Sequence, residues 1–122
     1  MRSRNWKLGI IILIALCLRL YRLSDVPVGF HGDEASIGYN SYSLLKTARD
    51  QNNNFLPLAI DQFGDFRPAG YHYLSIPFLA TFGLTELATR LPAALIGGIT
   101  VLPFYFLVFQ LFKNQTLALL AG

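Results

Sequence analysis

The stretch "LPAALIGGITVLPFYFLVFQLF", Leu91–Phe112, decides the class of fold. It has 22 residues without a charge and lies between Arg90 and Lys113. An apolar helix needs roughly 17 to 25 residues to cross a bilayer. The stretch therefore predicts a transmembrane helix, which we assign to residues 90–112.

A second apolar segment lies near the N-terminus. The run "LGIIILIALCL" follows a basic head, and Arg19 and Arg22 come after it. If the arginines extend their charged ends to the membrane surface, residues 6–23 are long enough to span a bilayer. No small-x-small cleavage site follows, so we interpret the segment as an uncleaved transmembrane helix. The basic head then places residues 1–5 in the cytoplasm.

The acidic residues lie only in the middle of the chain, between Asp25 and Glu86. We therefore predict an extracytoplasmic loop at residues 24–89. After the second span we expect a cytoplasmic turn at residues 113–116 and the truncated start of a third helix at residues 117–122. The predicted fold is an all-α integral membrane protein with two transmembrane helices, the start of a third, and a loop of membrane-surface helices.

Composition excludes one class of function and disfavours another. The net charge of +3 is small, and the basic residues are scattered along the chain. The sequence shows no basic face with interleaved aromatic residues, so we do not expect nucleic acid as a partner. A transporter is disfavoured because ionisable residues avoid the interiors of the predicted spans. A small non-catalytic membrane subunit, whose loop docks a partner, stays open as an alternative.

The loop contains three kinds of segment. Apolar and aromatic residues at three- and four-residue steps predict a helix from Asp33 to about Arg49. Prolines and glycines interrupt Leu56–Leu74, which argues against one long element and predicts a loop that folds against another part of the protein. The apolar piece Tyr71–Gly83 contains Pro77 and is short for a span, so we expect an interfacial or re-entrant segment.

Two adjacent carboxylates, Asp33 and Glu34, stand at the start of the predicted helix. Such residues often only cap a helix. A carboxylate at the outer membrane surface can also accept a proton from an acceptor hydroxyl or amine, which makes both residues candidate catalytic groups. The nearby His31 has no second histidine in a ligand spacing, so we predict no metal site from it.

Four other residues are candidates for substrate binding. Arg67 and Arg90 suit bidentate contact with phosphate, although arginines at these positions also anchor lipid headgroups. Tyr71 and His72 lie in an aromatic run where a sugar or phosphate could bind.

The segments "FHGDEASIGYNSYSLLKT" and "GDFRPAGYHYLSIPFLATFGLTELATRLPAALIGG" resemble the amino-terminal part of polytopic glycosyltransferases. These are the GT-C superfold enzymes of the dolichyl-phosphate-mannose protein mannosyltransferase and aminoarabinose transferase type. The resemblance covers about Arg19 to Phe112. It implies transfer of a sugar from a polyprenyl-phosphate-linked donor to a protein, lipid or glycan acceptor on the extracytoplasmic side.

The resemblance also implies roles for the candidate residues. Asp33 takes the place of the family's proposed catalytic base, and Glu34 would hold the loop or help place a cation. Arginines such as Arg67 and Arg90 would steady the donor phosphate, and a single displacement would invert the anomeric centre. Many members carry Lys-Pro-Pro where this chain has "RPA", Arg67–Ala69. We assign no cofactor, and the participation of a divalent cation is left open.

Family members have several hundred residues and roughly a dozen spans. The chain is therefore interpreted as a fragment, and by itself it is expected to be inactive. The expected partners are the bilayer, the lipid-linked donor and the acceptor.

Overall fold

The computed structural model describes the backbone of residues 2–121 and side chains from Trp6 onward. The chain divides into two compact units, one formed by Arg22–Pro92 and the other by the segments before and after it, so that the boundary falls inside one helix. The elements in chain order are α1 (Arg2–Leu20), α2 (Gly32–Thr47), β1 (Ala59–Gln62), β2 (Asp65–Pro68), α3 (Gly70–Phe82), α4 (Glu86–Ile99), α5 (Val101–Phe112) and α6 (Gln115–Ala121).

Helix α2 confirms the helix predicted from Asp33 to about Arg49. At its start, the Glu34 carboxylate accepts a hydrogen bond from the backbone N–H of His31 (3.3 Å), which satisfies one donor at the open end of the helix. At its end, Ala48 adopts a left-handed conformation with φ of 55° and donates its N–H to the carbonyl of Leu44. This is a common way for a helix to stop.

The segment predicted to be irregular contains a β-hairpin. Strands β1 and β2 pair antiparallel, from Ala59 opposite Pro68 to Gln62 opposite Asp65. Two of the residues that argued against one long element lie where the strands end. Gly64 is in the turn between the strands, and Pro68 is the last residue of β2. Proline is tolerated at such a position in a strand.

The hairpin and two helices share a small core in this unit. Helices α2 and α3 pack against each other, and the Tyr73 hydroxyl on α3 donates to the carbonyl of Pro57 (2.9 Å). The core is made of apolar side chains from all three elements and the short link before α3: Leu44, Ile60, Ala69, Tyr73 and Ile76.

The other unit is helical. Helices α5 and α6 pack together, and α1 contacts both of them. Gly98 allows α1 to lie close, because a Cβ atom at this position would overlap the Leu16 side chain. Small residues permit this kind of close helix approach.

The predicted all-α fold with two transmembrane helices and the start of a third is wrong. Among the described residues, one helix is long and apolar enough to cross a membrane, and it is formed by α4 and α5 together, Glu86–Phe112, with 27 residues. Helix α1 is long enough but carries at least three basic residues in every 18-residue stretch, so assigning residues 6–23 as a span underestimated the charge. The two-stranded sheet further departs from an all-α fold.

Candidate functional site

The acidic pair lies in the first turn of α2, and its two side chains contact different parts of the protein. Successive residues on a helix are about 100° apart around the axis. Glu34 forms an ion pair with Arg90 of α4, whereas Asp33 forms an ion pair with Arg67 of β2. We call Glu34 and Arg90 the inner pair, and Asp33 and Arg67 the outer pair.

The inner pair is a fully bonded ion pair. Arg90 donates from Nη2 to Glu34 Oε2 (2.8 Å) and from Nε to Glu34 Oε1 (3.1 Å). This two-point contact between guanidinium and carboxylate is among the strongest hydrogen-bonded pairs in proteins. The Arg90 side chain is only 7% exposed.

The remaining Arg90 donors hold the segment that leads into α2. Nη1 donates to the carbonyls of Leu23 (3.1 Å) and Pro27 (3.0 Å), and Nη2 donates to the carbonyl of Gly29 (2.8 Å). A guanidinium has five N–H donors, and all five are thus used inside the protein. Arg90 therefore ties the segment before α2 to the start of α4.

The protonation of Glu34 follows from this arrangement. The hydrogen bond from Arg90 holds the pKa of Glu34 below its ordinary value, against the opposing effect of partial burial, and the N–H of His31 acts in the same direction as Arg90. Glu34 is therefore held as a carboxylate by Arg90, and a catalytic role for Glu34 stays a prediction.

The outer pair is looser and open to solvent. Arg67 Nη1 lies 3.5 Å from Asp33 Oδ2, and the two side chains are 43% and 45% exposed. Arg67 also lies near a second carboxylate, with its Nε 3.4 Å from Asp65 Oδ2. An exposed carboxylate beside an exposed guanidinium can meet a ligand without breaking the core.

The β-hairpin is fixed to the start of α2 next to the outer pair. Gln62 donates from Nε2 to the backbone carbonyl of Asp33 (3.0 Å), and Gln62 is buried. The Phe63 ring lies against Gly32, with two ring carbons 3.8 and 4.0 Å from the point where a Cβ atom of Gly32 would be. The hairpin thus sets the position of Arg67 relative to Asp33.

The other predicted substrate-binding residues have internal positions. The Tyr71 hydroxyl donates to the carbonyl of Thr89 (2.9 Å). His72 is 2% exposed, and burial lowers the pKa of its imidazole, so this side chain is neutral at pH 7 and closed to solvent. Tyr71 and Arg90 thus make hydrogen bonds within the protein, and contact of Tyr71, His72 and Arg90 with substrate stays a prediction.

The sequence interpretation missed Gln62 and Phe63. The only signal for them was the short string "QFGD", Gln62–Asp65, in which a glycine follows a bulky residue between two apolar segments. Such a string is compatible with a two-residue hairpin turn. No group of three or more histidine, cysteine or acidic residues that could hold a metal ion occurs within residues 2–121.

Comparison with known proteins gives no relative. No family model, curated protein or solved structure matches the chain.

Proposed function

We propose that this chain is the amino-terminal part of a membrane glycosyltransferase that uses a polyprenyl-phosphate-linked sugar donor. The observation that carries the proposal is the unequal use of the two neighbouring carboxylates. Glu34 is bonded to Arg90, whereas Asp33 lies at the surface beside Arg67. The resemblance to this enzyme family assigns the catalytic base to Asp33 and lets Glu34 hold the loop or help place a cation, and the unequal contacts support that assignment.

In this proposal Asp33 acts as general base on the acceptor. Its carboxylate takes the proton from an acceptor hydroxyl or amine, and the acceptor atom forms a bond to the anomeric carbon of the sugar. The bond between that carbon and the phosphate oxygen breaks, and the polyprenyl phosphate leaves with the electron pair. A single displacement of this kind inverts the anomeric centre.

Arg67 is the cation best placed to assist the leaving group. Its guanidinium lies 3.5 Å from the Asp33 carboxylate and is partly exposed, so a phosphate beside Asp33 can reach it. A guanidinium stabilises the negative charge that grows on a departing phosphate. Glu34 and Arg90 are positioning residues, because they hold the segment from Leu23 to Gly29 and the start of α2.

The helix Glu86–Phe112 anchors this site to a membrane in our proposal. It is long and apolar enough to cross the bilayer, and Lys113 follows it directly. Basic residues favour the cytoplasmic end of a span, which places residues 22–85 on the extracytoplasmic side in this proposal. The predicted cytoplasmic position of residues 1–5 depended on a span at residues 6–23, and helix α1 is not apolar enough to supply that span.

The test is a transfer assay on the complete polypeptide in its membrane. We expect hexose transfer from a polyprenyl-phosphate hexose, and we expect Asp33→Asn to reduce it by about a hundredfold or more. Asp65→Asn is the matched control, because Asp65 is also an exposed aspartate that contacts Arg67. Full activity of Asp33→Asn would remove the catalytic role and favour a non-catalytic docking subunit.

A further inference from the structure

The turn of the β-hairpin has an unfavourable residue at its tip. Gln62 pairs with Asp65, which leaves Phe63 and Gly64 as a two-residue loop with φ values of 57° and 84°. Turns with two positive φ angles favour asparagine, aspartate or glycine at the first position, because a bulky side chain clashes with the backbone there. Phenylalanine is therefore a poor choice for this turn on backbone grounds.

Burial does not account for the residue either. The Phe63 side chain is 77% exposed, so it contributes little apolar area to the core. Residues held in strained backbone conformations cluster at functional sites, including sites that hold a ligand.

The position of Phe63 is nevertheless well defined. The turn is closed by a hydrogen bond from the Gly64 N–H to Asp61 Oδ1 (2.9 Å). The adjacent Gln62 is tied to the Asp33 carbonyl, and the ring rests against Gly32, the residue before Asp33. The ring therefore lies against the residue that directly precedes Asp33 of the outer pair.

We propose that Phe63 is the residue on which the hexose ring of the donor stacks. This inference rests on the proposed function and adds the contact that recognises the sugar. The apolar C–H face of a hexose fits an exposed aromatic face. In this arrangement the hydroxyl groups at the edge of the sugar and the donor phosphate come within reach of Asp33 and Arg67. These two residues then supply polar contacts at one side of the sugar.

The experiment measures binding of two probes to the complete polypeptide in lipid nanodiscs. One probe is citronellyl phosphate carrying mannose, and the other is citronellyl phosphate without a sugar. We expect the native chain to bind the mannose-bearing probe about three- to tenfold more tightly than the bare phosphate. Phe63→Asn should abolish this preference while leaving the affinity for the bare phosphate unchanged.

The matched control is Phe66→Asn. Phe66 is another exposed phenylalanine of the hairpin, but it alternates with Arg67 along β2 and so faces the opposite side of the sheet. We expect this variant to keep the preference for mannose. A thermal melt of each variant checks that both are folded.

Three results would overturn the inference. If Phe63→Asn keeps the preference for mannose, the ring does not contact the sugar, and the proposed function stands without it. If Phe63→Asn lowers the affinity for both probes equally, the ring contacts the lipid or the phosphate and not the sugar. If the native chain binds neither probe, the proposed function fails and the inference fails with it.

Discussion

Two carboxylates that are neighbours in sequence form two very different ion pairs. The inner pair, Glu34 and Arg90, has two hydrogen bonds of 2.8 and 3.1 Å and a buried arginine. The outer pair, Asp33 and Arg67, approaches only to 3.5 Å between exposed side chains. The difference arises because consecutive helical positions face different directions. Two adjacent carboxylates can therefore differ in role, with Glu34 bonded inside the protein and Asp33 accessible at the surface.

We expect the two pairs to differ as strongly in their contributions to the free energy of unfolding. Removing one partner from a buried ion pair leaves an uncompensated charge and unpaired polar groups. Exposed ion pairs contribute little, because water solvates and screens both charges. Four substitutions test this contrast, beginning with the largest expected effect.

The largest loss of stability should follow Arg90→Met. It leaves Glu34 without its partner and removes the donors to the carbonyls of Leu23, Pro27 and Gly29. We expect the free energy of unfolding to fall by about 2–4 kcal/mol, measured by chemical denaturation in detergent with circular dichroism. Arg90→Lys should recover only part of the loss, since lysine lacks the bidentate geometry. A change below about 0.5 kcal/mol in Arg90→Met would contradict the assignment of the inner pair.

Glu34→Gln should have a smaller effect that depends on pH. The amide keeps one acceptor but loses the charge, so we expect a loss of about 1–2 kcal/mol at pH 7. Because folding lowers the pKa of Glu34 below its ordinary value of 4.5, the stabilisation by its charge is present above that pH. It disappears as the pH falls through the lower, folded value. The stabilities of the native chain and Glu34→Gln should therefore converge below pH 4.5, and a constant difference would contradict the account.

Phe63→Asn should change stability in the opposite direction. Asparagine tolerates the positive φ of 57° better than phenylalanine does. We expect a gain of about 0.5–1 kcal/mol, seen as a higher melting temperature. A loss of stability would mean that the ring supports the hairpin. The residues near the outer pair would then also have a structural role, as the inner pair does.

The smallest effect on stability should follow Arg67→Ala. Its contacts with Asp33 and Asp65 are 3.5 and 3.4 Å long and lie at the surface. We expect a change of less than about 0.5 kcal/mol in the same denaturation experiment. If Arg67→Ala destabilised the protein as much as Arg90→Met, the distinction between the two pairs would fail.

The sequence allowed helix α2 and the acidic pair at its start to be predicted, because helical periodicity and end residues are local signals. It did not reveal which carboxylate is accessible. That depends on Arg90, which lies 56 residues from Glu34 and was interpreted as a phosphate ligand. Only the packing of α4 near the start of α2 makes it internal.

The hairpin and the first span were misjudged for a different reason. Gly64 and Pro68 were interpreted as breakers, although the same residues also mark the turn and the end of a short hairpin. For α1, the hydrophobic run was given more weight than its basic residues. In both cases the local pattern allowed two structures, and long-range packing or charge decided between them.

The most direct test compares Asp33→Asn with Glu34→Gln in the complete polypeptide by two measurements, thermal unfolding and hexose transfer from a polyprenyl-phosphate hexose. We predict that Asp33→Asn melts like the native protein and loses transfer, whereas Glu34→Gln melts several degrees lower. If Asp33→Asn retains transfer, or if the two variants lose stability equally, the division between a structural and a catalytic carboxylate is wrong.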